Sequence, residues 1–153
     1  MKKFVFASDL HGDRCDYDSV NALYEFCEKF QPDIKIFGGD LFDFRAIRRG
    51  AGKAERSESI AADVESGMEF LRKFCPSVFL LGNHDKRLWD TASNSMLGLE
   101  SDYAKQGVKD ISKICRSMKC KMIPYDASTG FHQIGKVRFC LLYTSDAADD
   151  NAG

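Results

Sequence analysis

Three short clusters of carboxylate, imidazole and amide side chains each follow an apolar segment of the chain. In chain order they are Asp9 with His11, Asp40 with Asp43, and Asn83 with His84 and Asp85. These side chains are oxygen and nitrogen ligands, and no thiolate is required. The set therefore suits Mn, Fe or Zn better than a soft-metal or iron–sulfur site. The clusters predict metal chemistry, provided that the fold brings them together.

The electrostatics of the clusters point the same way. Four of the side chains are carboxylates: Asp9, Asp40, Asp43 and Asp85. Like charges at close range cannot all stay ionised unless something offsets them. One or two divalent cations would provide that offset directly.

The elements that must position the clusters alternate between strands and helices. Short apolar runs predict strands at 3–8, 34–37 and 78–81, and helical spacing predicts helices at 19–30 and about 57–74 between them. This order describes two consecutive βαβ units, and hence an α/β fold with a parallel sheet covered by helices. In such sheets ligands bind just beyond the carboxyl ends of the strands, so the three clusters should converge at one edge.

The pattern is weaker after the third strand. We predict a helix over 99–118, with Tyr103, Ile111 and Cys115 among its inward-facing residues. A fourth strand is predicted at 119–123. A hairpin over 131–141, turning at Gly135, completes the assignment.

Composition limits the class of protein. The chain has 153 residues, of which 44% are hydrophobic, which suits one domain with a core. The net charge of −1 gives no global basic field for nucleic acid. The first apolar run, 4–7, is too short for an export signal, and no run approaches the length of a membrane span. We therefore expect a soluble, cytoplasmic protein whose cysteines are reduced, with no membrane partner and no obligate protein partner readable in the sequence.

The clusters also carry a family resemblance. D-x-H at 9–11, G-D-x-x-D at 39–43 and G-N-H-D at 82–85 resemble the first three motifs of the calcineurin-like metallophosphoesterases. The resemblance covers residues 1 to about 139. It implies the βαβαβ half of a β-sandwich flanked by helices, truncated at the C-terminus. It also implies hydrolysis of phosphate mono- or diesters by a hydroxide that bridges two divalent metal ions.

The same resemblance assigns metal ligands. It implies that Asp9 and His11 hold the first metal, that Asp40 bridges both metals and that Asn83 binds the second. Asp85 is expected to support these ligands rather than to bind a metal itself.

Roles in catalysis follow from the resemblance as well. His84 is expected beside the leaving group as a proton donor or charge stabiliser, with Asp43 orienting its ring. A phosphate-binding arginine follows the last Asp of G-D-x-x-D in one branch of the family. Here Phe44 stands in that place, which leaves Arg45 and Arg87 as candidates for phosphate contact.

The family completes its site with three further histidines from G-H and G-H-x-H motifs. The chain has three histidines in total, and the last, His132, is interpreted as a strand residue. We therefore expect an incomplete site that holds the second metal poorly and shows poor or absent turnover. The substrate is expected to be a phosphate ester: a nucleotide, nucleic acid, phosphoprotein or small molecule.

Two other functions compete with this interpretation. A degenerate, non-catalytic metal- or nucleotide-binding module is the main alternative, since the last histidines are missing. A phosphatase with an aspartyl nucleophile would start from D-x-D after the first strand. The observed Asp9-Leu10-His11 disfavours that chemistry.

The end of the chain is unlike the rest. Residues 140–150, CLLYTSDAADD, resemble the translation of a transposase-based sequencing adapter. We therefore predict that 1–139 is the N-terminal portion of the enzyme domain and that 140–153 is a non-native tail. On this interpretation, the natural gene continues elsewhere after about Phe139.

Overall fold

Four parallel strands form the central sheet of the computed structural model, which describes residues 2–140. They are β1 (Phe4–Ala7), β2 (Ile34–Phe37), β3 (Val78–Leu80) and β4 (Lys121–Ile123). Their order across the sheet is their order in the chain, and every neighbouring pair is parallel. The predicted α/β class with a parallel sheet is confirmed. All four predicted strands are present, within one or two residues of their expected ends.

Five helices accompany the sheet. They are α1 (Tyr17–Phe30), α2 (Lys53–Arg56), α3 (Ile60–Phe74), α4 (Asn83–Ser93) and α5 (Leu99–Ser117). Single 3-10 turns occupy Gly12–Arg14, Arg45–Ile47 and Ser95–Leu97. None of the helices in the described part of the chain is both long and apolar enough to cross a bilayer.

Capping side chains explain where two of the predicted helices begin. The Asp16 carboxylate accepts the backbone N–H groups of Asp18 and Ser19, so α1 starts two residues earlier than its apolar spacing predicts. Ser59 caps α3 by accepting the N–H of Ala62 at 3.3 Å, so this helix starts later than predicted.

Helix α4 is a longer element that the sequence pattern did not predict. It begins at Asn83, directly after β3, and its buried residues are Asp85 and Leu88. With so few apolar positions the helical period is hardly visible in the sequence. The third cluster therefore lies in the first turn of a helix.

The helices cover one face of the sheet. Aromatic rings make up much of this core: Phe37, Phe70, Phe74 and Phe79 contact one another. Ile111 and Cys115 of α5 are buried here, as predicted. Tyr103, predicted to face inward, is 55% exposed, so that prediction is wrong. It lies between the buried Ser101 and Ala104 in the first turns of α5, on the exposed side of the helix.

A hairpin covers part of the other face. Its strands are β5 (His132–Ile134) and β6 (Val137–Phe139), antiparallel, as the sequence predicted. Phe139 packs against Phe4 and Phe6, with ring centroids 5.2 and 5.5 Å apart. Phe4 and Phe6 nevertheless stay 41% and 40% exposed. The sheet thus has helices on one face and β-structure on the other, which is the arrangement expected for one half of a β-sandwich flanked by helices. Residues 141–153 of the predicted tail lie outside the described part of the chain.

Candidate metal centre

Backbone hydrogen bonds join the first two clusters beyond the ends of β1 and β2. The N–H of Asp9 donates to Gly39 O at 2.9 Å, and the N–H of His11 donates to Asp40 O at 3.0 Å. Gly12 continues the series by donating to Leu41 O. The two loops therefore run side by side past the carboxyl edge of the sheet.

The third cluster joins them through Asp40. The backbone N–H of His84 donates to Asp40 Oδ1 at 3.0 Å. Gly82 packs so closely on this carboxylate that a Cβ at this position would overlap Asp40 Oδ1 and the Asp40 backbone nitrogen. Asn83 stands between these two residues as the first residue of α4. The predicted convergence is therefore present in the backbone itself.

Ligand-type atoms gather where the loops meet. Asp9, His11 and Asp40 each offer one atom within 4.8 Å of the other two. His11, Asp43 and His84 form a second such group, which shares His11 with the first. Carboxylate oxygens and imidazole nitrogens are donors that divalent transition metals accept, so the donor set fits the expected cations.

Three of the four predicted ligands have left-handed backbone. The φ angles are 60° at Asp9, 56° at His11 and 53° at Asp40. This conformation is uncommon for residues other than glycine, although Asp and His tolerate it best, and it persists where the surroundings enforce it. Its concentration at one edge of the sheet marks these loops as a candidate site.

Burial makes Asp40 a group that a cation would stabilise. Its exposed fraction is 4%. Burial raises the pKa of Asp40, and the nearby His84 and His11 lower it in part. Because a neighbouring positive charge favours the ionised form, a bound cation would offset this desolvation.

Asp43 lies between the two imidazole rings. Its Oδ1 is 2.8 Å from His84 Nδ1 and 3.7 Å from His11 Nδ1, and the ring centroids are 4.7 Å apart. Burial alone would raise the pKa of Asp43, but the two histidines outweigh it and hold the pKa below its ordinary range. In return, the Asp43 carboxylate raises the pKa of His11 against the effect of burial. An ionised Asp43 can therefore hold an N–H at His84 Nδ1.

Asp85 points away from this group of ligands. Its carboxylate accepts the backbone N–H of Gly82 at 2.8 Å and that of Phe42 at 2.9 Å, and its exposed fraction is 0%. Burial raises the pKa of Asp85 to about 7, although these hydrogen bonds oppose the shift. Asp85 thus ties the first turn of α4 to the loop after β2.

Asp63, on α3, also ties a helix to the loop after β2. This residue was not among the predicted site residues. Its two oxygens accept the N–H groups of Asp43 at 3.0 Å and of Phe44 at 2.6 Å. The residue is 2% exposed. A signal was present: Asp63 falls at helical spacing with the buried Gly67 and Phe70, so it is a carboxylate on an inward-facing stripe.

The two candidate arginines occupy different surroundings. Arg45 binds the Asp13 carboxylate with both Nη atoms at 2.8 Å and also forms an ion pair with Glu58. Arg87 Nη1 donates to the backbone oxygen of Asp43 at 2.8 Å and lies 2.9 Å from His84 Nδ1. Both arginines also pair with the Asp43 carboxylate, Arg45 at 3.4 Å and Arg87 at 3.8 Å. Arg45 is therefore held mainly by Asp13 and Glu58, whereas Arg87 adjoins the imidazole.

Comparison with known proteins agrees with this geometry. A family model described as calcineurin-like phosphoesterase matches residues 2–129. No curated protein matches the chain at a significant level. Members of this family are in general metal-dependent phosphoesterases that bind divalent metals. The match spans most of the chain, and the clusters meet at one edge of the sheet. The chain therefore belongs to the calcineurin-like phosphoesterase family.

Proposed function

We propose that this chain is the N-terminal portion of a metal-dependent enzyme that hydrolyses phosphate mono- or diesters. The observation that carries the proposal is the group formed by Asp9, His11 and Asp40, whose ligand atoms lie within 4.8 Å of one another. This group stands at the carboxyl edge of a parallel sheet, where α/β proteins bind ligands.

The proposed ligands divide between two sites for divalent ions, with Mn, Fe or Zn as the metals. Asp9 and His11 would hold the first ion, Asp40 would face both, and Asn83 would contribute its amide oxygen to the second. When bound, such ions lower the pKa of a coordinated water, so that a nucleophile is available near neutral pH. The second ion would be held poorly, because the family's remaining histidine motifs have no counterpart in this chain.

His84 would act on the leaving group as a proton donor or charge stabiliser. Because Asp43 Oδ1 and Arg87 Nη1 both lie beside Nδ1, Nε2 remains the ring nitrogen available to substrate. The contact with the Asp43 carboxylate sets the orientation of the ring.

Arg87 is the better placed arginine for phosphate contact. It lies three residues after His84 on α4, and its guanidinium reaches the same side of Asp43. Arg45 would have to give up its two-pronged contact with Asp13 before it could bind an anion. We therefore assign substrate contact to Arg87 and a structural ion pair to Arg45.

Hydrolysis of p-nitrophenyl phosphate and of its bis ester tests the proposal. We expect slow turnover that requires added Mn²⁺ and stops with a chelator. His84→Ala should lower the rate by about 100-fold or more, the range for loss of a general acid. His132→Ala is the matched control, because His132 lies on the β5–β6 hairpin and in neither ligand group of the described residues.

The alternative function is a non-catalytic metal- or nucleotide-binding module. It is favoured by the sequence, whose three histidines leave the family's G-H and G-H-x-H motifs without a counterpart. Mn²⁺ binding with no hydrolysis of either ester would support this alternative. Absence of Mn²⁺ binding would contradict the metal-dependent enzyme and would leave only the nucleotide-binding form of the alternative.

Three further features belong to the proposal. The substrate would be a nucleotide, nucleic acid, phosphoprotein or small phosphate ester, and the protein would act in the cytoplasm without an obligate protein partner. Residues 1–139 would form the natural portion of the domain, and 140–153 would be translated adapter. Inspection of the coding DNA tests the last point, since a homologous gene that encodes the same tail would reject it.

A further inference from the structure

We propose that Asp63, together with Ser66 on the same face of α3, is a positioning residue for the metal centre. This inference deepens the proposed function and rests on it. Asp63 touches no candidate ligand through that ligand's side chain. It acts through the backbone of the loop that follows β2.

The loop after β2 is held by two buried carboxylates from two different helices. Asp85 of α4 binds the N–H of Phe42, and Asp63 of α3 binds the next two, those of Asp43 and Phe44. Phe44 has left-handed backbone, with φ of 50°, so this part of the loop is not in a relaxed conformation. The hydrogen bonds to Asp63 supply the constraint that such a conformation needs.

The same turn of α3 reaches the loop after β1. Ser66 Oγ donates to the backbone oxygen of Gly12 at 2.9 Å. A Cβ at Gly12 would overlap Asp63 Oδ1, so this loop passes directly against the carboxylate. Asp63 and Ser66 therefore fix the His11 side of the site relative to the Asp43 side.

Only a carboxylate can accept both of the N–H groups that Asp63 binds. Two N–H groups from consecutive residues converge on a side chain that is 2% exposed, and each is taken by a separate oxygen. An amide offers one acceptor oxygen, and its NH₂ group would face the other N–H. A buried charge is costly unless it is hydrogen-bonded. The loop supplies these hydrogen bonds, and its organisation explains why a carboxylate is buried at this position.

The consequence reaches the imidazoles. The position of the Asp43 backbone sets where its carboxylate meets His84 Nδ1, at 2.8 Å, and His11 Nδ1, at 3.7 Å. Loss of the contact with Asp63 should therefore change the surroundings of both rings, although Asp63 contacts neither.

Histidine NMR on metal-free protein at a fixed neutral pH tests this. In Asp63→Asn, we expect the ring nitrogen signals of His84 and His11 to shift while those of His132, on the distant hairpin strand, stay in place. The control is Glu65→Gln, which makes the same charge change at an exposed position of α3 and should leave all three histidines unchanged. Unshifted His84 and His11 signals in folded Asp63→Asn would overturn the proposal.

A second variant and a second readout keep the test decisive. If Asp63→Asn does not fold, Ser66→Ala leaves Asp63 in place and removes the contacts of Ser66 Oγ with Gly12 O and with Cys15 Sγ. It should shift His11 but not His132, and an unchanged His11 would overturn the proposal. In folded Asp63→Asn, we also expect the Mn²⁺ affinity to fall by about tenfold, as happens when other groups that position metal ligands through hydrogen bonds are replaced. Wild-type protein that binds no Mn²⁺ would contradict the proposed function, while the metal-free NMR still decides the role of Asp63.

Discussion

The carboxylate of Asp40 accepts the backbone N–H of His84 at 3.0 Å, which joins the loop after β2 to the first turn of α4. The hydrogen bond holds the same carboxylate that lies within ligand distance of Asp9 and His11. Because Asp40 is buried, a disturbance at this contact should affect both folding and metal binding.

Replacing Gly82 by alanine should produce such a disturbance. A Cβ there would overlap both Asp40 Oδ1 and the Asp40 backbone nitrogen, whereas the φ of −90° would be acceptable to any residue. We expect the free energy of unfolding, measured with urea, to fall by about 1–3 kcal/mol, and Mn²⁺ binding to weaken. Gly52→Ala is the control, since the nearest atom to its Cβ would be 3.9 Å away. Equal stability of the two variants would contradict the steric account.

Metal binding itself should be visible in thermal stability. A ligand present at about 100 times its dissociation constant stabilises the folded state by about 2.7 kcal/mol. We expect Mn²⁺ to raise the Tm of wild-type protein and a chelator to reverse the effect. In Asp40→Ala and His11→Ala the shift should disappear, whereas in His132→Ala it should persist. A Tm shift that survives in Asp40→Ala would place the metal elsewhere.

The Arg45–Asp13 ion pair predicts a pH dependence. Hydrogen bonds from Arg45 lower the pKa of Asp13 from its ordinary value of 3.8. The folded state therefore binds this proton less tightly than the unfolded state. The pair contributes stability above about pH 4, and this contribution is lost as the pH falls through the lowered pKa.

Comparison of wild type with Asp13→Asn tests the sign. The Tm advantage of wild type should be constant from about pH 7 to about pH 5 and should shrink below about pH 4. Asp90→Asn is the control, because Asp90 is exposed and pairs with Lys86 one turn away, so its effect should be small throughout. An advantage that grows on acidification would refute the assignment.

The hairpin over the second face should contribute measurably to stability. Phe139 is 9% exposed and contacts Phe4 and Phe6, so Phe139→Ala should lower the free energy of unfolding by about 3 kcal/mol. Val137→Ala is the control in the same strand, since Val137 is 51% exposed and should cost well under 1 kcal/mol. Similar effects of the two substitutions in urea unfolding would show that the hairpin does not pack as described.

Much of the architecture could be predicted from local patterns. Short apolar runs mark β1 to β4, and helical spacing marks α1, α3 and most of α5. The order of these elements implied a parallel sheet, and hence the meeting of Asp9, His11 and Asp40 at one edge. Helix α4 was not predicted, because a helix that buries one aliphatic side chain, Leu88, leaves almost no periodic signal in the sequence.

By itself, the sequence determined the class of fold, the edge of the sheet that carries the site and the kinds of ligand found there. Those properties follow from spacing along the chain, which is local information. The tertiary structure alone decided which groups hold the site in place. Asp63, twenty positions after Asp43, meets it only because α3 packs beside the loop after β2. Hydrogen bonds between backbone N–H groups and distant carboxylates leave no periodic trace, since the backbone donor is the same at nearly every residue.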